Sequence, residues 1–243
     1  TTVAITVIAF FVAAEIAVAA DVSFSGQLRS RFEYNEQADT DAATDGDDFI
    51  ATRMRLNASV NINDSTSAFI QMQSQRIWGN ATGGSGGGTT GSGNASFTPS
   101  DGDNSVGLHQ AYFTLKNFAG TPADLKLGRQ QVVLDGHRLF GHTGWTTGAN
   151  THDAARLTHK GGNHTLTYAY ILAGEGADVG QTQDIDVHLA HANFQGILGG
   201  GLSLYYVAFL DGCGSSAGGT CNNQANNIHT IGFRQAGKLF GID

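Results

Sequence analysis

At 243 residues the chain is long enough for one domain, and 34 glycines, 2 prolines and only 14% charged residues argue against an ordinary α/β enzyme. A net charge of −8 gives no case for a nucleic-acid partner. The mean hydropathy of −0.15 fits a soluble protein, but equally strands whose apolar and polar residues alternate.

Residues 1–20 stand apart. Thr1 to Ala14 is an unbroken run of apolar and small residues, and Ile16-Ala17-Val18-Ala19-Ala20 follows Glu15. Small residues ahead of Asp21 read as a signal-peptidase site, so 1–20 is expected to be a signal peptide lacking its true start, and 21–243 the exported domain. The alternative is a buried apolar helix.

The next segment carries the strongest signal. Val22, Phe24, Leu28, Phe32 and Tyr34 fall on even positions, and Ser23, Ser25, Gln27, Arg29, Arg31 and Glu33 on odd ones. Only a strand turns a period of two into one apolar and one polar face. From Phe49 to Ile62 the pattern repeats, with Met54, Leu56 and Val60 against Arg53, Arg55 and Asn57. Each run is long enough to cross a bilayer when tilted. Two arginines on each polar face require a wet interior, as in a water-filled barrel.

Further strands are expected at Thr66–Trp78, Val106–Asn117, Asp124–Leu134, Asp153–His159, His164–Ala173, Asp184–Phe194 and Leu202–Leu210, with a tenth beginning at Ile228. Gln71, Gln73 and Gln75 oppose Ile70 and Met72, and Gln110 opposes Ala111 and Phe113. In 124–134 the alternation slips, and a bulge at Gly128 would aim Lys126, Arg129 and Gln131 inward together. Connections after odd-numbered strands are long and polar, and those after even-numbered ones short. A meandering transmembrane barrel with long outer loops and short periplasmic turns has this rhythm. The fold class is therefore an all-β, antiparallel up-and-down transmembrane barrel.

Parts of this pattern resemble the alginate-export family of outer-membrane porins. Ala68-Phe69-Ile70-Gln71-Met72-Gln73, Arg76-Ile77-Trp78-Gly79, Leu108-His109-Gln110-Ala111-Tyr112 and Leu125-Lys126-Leu127-Gly128-Arg129-Gln130 carry the likeness. So do Gly136-His137-Arg138-Leu139-Phe140-Gly141 and Asp153-Ala154-Ala155-Arg156-Leu157. The resemblance implies a monomeric barrel of roughly eighteen strands in the bacterial outer membrane, with an arginine-lined pore for an anionic uronate polymer or other anionic solutes. With about ten strands in hand and no aromatic end, the chain reads as the N-terminal part of a larger barrel.

The expected pore lining is Arg29, Arg31, Arg53, Arg55, Lys126, Arg129, Arg156, Gln71, Gln73 and Gln110. A register with Arg31 opposite Arg53 also sets Arg29 opposite Arg55, and such like-charge pairs call for Glu33, a folded-in acidic loop or an anionic substrate. The other reading is that internal acids neutralise them. Acids crowd the connections, as at Glu36, Asp39, Asp41, Asp45, Asp47 and Asp48. Of nine histidines, His188 and His191 would point to opposite faces of one strand, so no shared metal is expected, and the histidines read as rim or interface residues. Cys213 and Cys221 lie in a Gly/Ser/Asn-rich loop as a disulfide or two free thiols. No catalytic residue and no cofactor is indicated. Expected partners are the anionic polysaccharide or small anionic solutes, outer-membrane lipid and periplasmic export proteins. Alternatives are a non-transporting surface or adhesion barrel using its long Gly/Ser loops, and an outer-membrane lipase-like enzyme.

Overall fold

The computed structural model describes residues 21–34, 48–78, 106–137, 139–146, 148–174, 183–197, 199–213 and 227–237. Ten strands run in chain order through one antiparallel sheet: β1 Asp21–Tyr34, β2 Asp48–Asn63, β3 Thr66–Ile77, β4 Gly107–Leu115, β5 Ala123–Gln130, β6 His152–Lys160, β7 His164–Gly174, β8 Gln183–Ile197, β9 Gly200–Cys213 and β10 Ile228–Gly237. Every expected strand is present. Among the described residues no helix is long and apolar enough to cross a membrane. The expected signal peptide, the acidic connection at 36–47 and Cys221 lie outside the described residues.

Alternation sorts the sheet into two faces. On one, Leu28, Phe32, Leu56, Ile70, Met72, Phe113 and Leu166 are exposed; on the other, Gln71, Gln73, Gln110 and Thr167 are buried. A strand face this apolar and this exposed is stable only in lipid. Tyr34 and Trp78 are also exposed, at the long-loop ends of β1 and β3, where interfacial aromatics belong.

What covers the inner face is the connection between β5 and β6, residues 131–151. Its first turn packs Val132 and Leu134 against Ala154, Ala169, Ile171, Val187, Leu189 and Tyr205 on β6 to β9. Gly136 sits beside β10, against the Arg234 guanidinium. Eight residues further on, the carbonyl of Gly144 accepts from Arg29 of β1. One connection thus meets inner-face arginines of both edge strands of the sheet, β1 and β10.

The register of β1 and β2, which the sequence leaves open, sets Arg29 against Arg53, Gln27 against Arg55 and Arg31 against Ala51, two residues from the one that would oppose Arg31 to Arg53. A shift of two keeps every face and leaves one arginine pair directly opposed instead of two. No bulge occurs at Gly128: pairing with β4 and β6 continues through it, and the residue absorbs the irregularity with φ +117°. Register shifts fall instead at Gln71/Met72, where the extra residue His109 is accommodated, and near Asn61, Leu172 and Gln195. β5 ends at Gln130, not Leu134, because Val132 and Leu134 leave the sheet for the interior cluster.

Candidate functional site: a guanidinium ladder bound to an inward loop

Arg29 and Arg31 rise from β1 and Arg53 and Arg55 from β2, all on the inner face. Arg29 donates from Nη1 to the Gly144 carbonyl at 2.7 Å, and from Nη2 to those of Trp145 and Thr146 at 3.0 and 2.9 Å. Arg31 donates to the Trp145 carbonyl and lies 4.7 Å over the Trp145 ring. Arg53 donates to Thr146 O at 3.3 Å and to Gln27 Oε1 at 3.1 Å. One short stretch of backbone thus accepts from three guanidinium groups.

The partners matter because carbonyls carry no net charge. Arg31 has Glu33 at 2.7 Å, but Arg29, Arg53 and Arg55 make no ion pair among the described residues. The folded-in loop that like-charged arginines call for is present, and it serves them with backbone oxygens instead of acids. Arg53 and Arg55 stand beside it, and the His142 imidazole of the loop is held below its ordinary value, first by burial and then by His137, Arg55 and Arg53.

Deeper in, Arg55 donates to Gln73 Oε1 at 2.6 Å and to His109 Nε2 at 2.9 Å. A guanidinium can only donate, so His109 accepts at Nε2 and is neutral with its proton on Nδ1. Gln73 in turn donates to Gly148 O at 2.8 Å. An amide row continues across β1 to β4: Gln110 to Gln71 at 3.0 Å, Gln71 to Asn57 at 2.8 Å, Asn57 to Ser25 at 3.0 Å. The three expected glutamines are therefore packed side by side with the ladder.

The remaining expected lining residues stand apart from it. Lys126 and Arg156 are opposed across β5 and β6, with the Lys126 ammonium 4.0 Å over the Tyr112 ring. Arg129 is buried and grips Asp153 bidentately at 2.9 and 2.6 Å. With no bulge between them, Lys126 and Arg129 differ in parity and do not form one row.

Several participants were not legible in the sequence. The connection after the fifth strand reads there as a long outer loop following Leu134, and His109 and His191 as rim or interface histidines. Both are buried, at 0% and 7% exposure. His191 Nε2 and Ser203 Oγ both donate to the carboxylate of Asp135, at 3.2 and 2.9 Å, fastening the loop to β8 and β9. The carboxylate lies between the hydroxyl and the ring, so this is an anchor and not a nucleophile–base–orienter relay. Asp135 takes φ +46°, an uncommon backbone for a residue other than glycine, held by these bonds. Arg234 also shares the inner face, opposite Ser203. Its parity on β10 was the available signal.

Residues 20–241 match the alginate export family. The chain belongs to that family. It is accordingly a β-barrel of the bacterial outer membrane, and its family forms export channels and not enzymes. The family implies a polysaccharide as the material handled. No curated protein matches the chain.

Proposed function

We propose that this alginate export barrel passes anionic, carboxylate-bearing polysaccharide, and with it smaller anions, along the inner face that holds Arg29, Arg31, Arg53 and Arg55. The observation that carries this reading is that three of the four guanidinium groups, those of Arg29, Arg53 and Arg55, are bonded by neutral acceptors and meet no carboxylate among the described residues. Arginine's planar fork binds a carboxylate bidentately and more strongly than it binds a carbonyl. A uronate entering the lumen competes for the donors that now hold Gly144 to Thr146, and moves from fork to fork. The amide row beside the ladder offers donors and acceptors to sugar hydroxyls. In this reading residues 1–20 are the export signal, Cys213 and Cys221 close an outer loop by a disulfide, and periplasmic export proteins deliver the polymer.

The test is reversal potential in a planar bilayer under a salt gradient. The wild type should prefer anions, and Arg53→Glu with Arg55→Glu should abolish or invert that preference while the barrel still assembles. An unchanged reversal potential in a folded double variant would show that the ladder does not set selectivity.

A further inference from the structure

The outer face is not uniform. Over β1 to β4 it carries large exposed apolar side chains such as Phe24, Leu28, Phe32, Met54, Leu56 and Phe113, and between β6 and β9 the small residues Ala190 and Ala192 sit among Leu157, Leu166, Tyr168, Leu204 and Tyr206. They leave an apolar groove of about 520 Å³ open to the membrane. Its upper bound is polar: Tyr168 and Tyr206 turn their hydroxyls to His188 Nδ1 at 2.8 Å and His229 Nδ1 at 3.0 Å. Its lower end is His159, one residue from the end of β6 at the short, periplasmic turn. His164 stands next to it, ring centroids 5.4 Å apart, with Phe194 beyond at 6.3 Å from His164.

An apolar groove in a bilayer that ends on two imidazoles at headgroup depth has the polarity of a phospholipid. The imidazoles narrow its class. His159 Nδ1 lies 2.8 Å from the Pro122 carbonyl, which can only accept, so that nitrogen carries a proton and the tautomer with one proton presents Nε2 as an acceptor. His164 Nδ1 lies 3.3 Å from Asn163 Oδ1 and is oriented the same way. Two acceptors at the headgroup level favour a headgroup that donates.

We infer that this groove is a specific site for one phospholipid of the periplasmic leaflet, its acyl chain over Ala190 and Ala192 and a primary ammonium headgroup, as in phosphatidylethanolamine, donating to the imidazoles of His159 and His164. The site is independent of the polysaccharide path, since its lining side chains Leu157, Leu166, Tyr168, Leu204 and Tyr206 lie on the opposite face from the ladder.

Native mass spectrometry of the full chain in mild detergent, titrated with dioleoyl phosphatidylethanolamine or dioleoyl phosphatidylcholine, tests it. The wild type should take up one phosphatidylethanolamine and bind it about tenfold more tightly than the choline lipid, whose nitrogen has no hydrogen to donate. Ala190→Phe with Ala192→Phe fills the groove and should remove the single adduct of either lipid. His159→Leu with His164→Leu leaves the groove and should erase only the headgroup preference, so it tests the site even if the phenylalanine variant fails to fold. Folding of each is checked by retarded migration of the unheated barrel on a gel. An adduct that persists in the folded phenylalanine variant, no adduct in the wild type, equal affinity for both lipids, or a dimer that the phenylalanines disrupt would each overturn the inference.

Discussion

Each arginine of the ladder does two things at once, and the loop stretch from Gly144 to Thr146 makes this measurable. Charged hydrogen bonds contribute about 1.5–3 kcal/mol each when one partner is removed. Replacing Arg29 and Arg31 with Ala removes four donations to that stretch. Amide hydrogen exchange over residues 140–150 should then accelerate by at least roughly tenfold while the strands stay protected. Unchanged exchange would mean that the apolar anchor alone holds the loop. His142 adds a pH dependence. Its folded-state pKa is lowered, so the released loop takes up the proton more readily than the docked one. Docking is favoured fully above the ordinary value of 6.5 and is lost as pH falls below it. The new cation would face Arg53, Arg55 and His137, which disfavour it. Acidification from pH 7.5 to 5 should therefore raise exchange in the loop beyond the intrinsic rate change, and His142→Gln should flatten the response.

At the scale of elements, the strands were legible because alternation is a property of the residues themselves. Every one of the ten was where the period of two put it, within a few residues at the ends. Register was not legible: a slip of two preserves all the faces, so only the energetics of opposed pairs such as Arg29 with Arg53 can choose. Parity also misled where the interior is dry. On β8, Val187 and Leu189 face inward into the cluster with Val132, whereas Asp186 and His188 face outward and bond Tyr170 and Tyr168. The rule that apolar faces meet lipid fails wherever a loop supplies an apolar cover. Gly128 is the element-level prediction. A Cβ there would meet the Ala111 carbonyl and come within 3.0 Å of the Tyr112 Cα, on a backbone that L residues avoid. Gly128→Ala should lower the fraction of heat-modifiable, folded barrel, by at least about 1 kcal/mol of stability, whereas the same change at Gly162, with nothing within 4 Å, should be tolerated.

At the scale of the whole molecule, the ten strands form one sheet whose two edge strands meet the same inner connection. One side of the loop is fixed by apolar packing and the Asp135 anchor, the other by guanidinium groups that a carboxylate can take over. In the proposed function this asymmetry would link fold to transport, the apolar side holding the loop while the basic side exchanges partners. The sequence carried the ladder, since four arginines share one parity on neighbouring strands. It did not carry the loop's destination, because backbone carbonyls are the same in every residue and leave no compositional trace. The most direct measurement is therefore single-channel current with oligouronate added on the periplasmic side. Wild-type channels should show interruptions whose frequency rises with oligouronate concentration, and a neutral oligosaccharide of equal length should produce roughly tenfold fewer, the equivalent of losing about one charge-assisted contact. Equal interruption by charged and neutral oligosaccharides, or none by either in a conducting channel, would contradict passage along the arginine ladder.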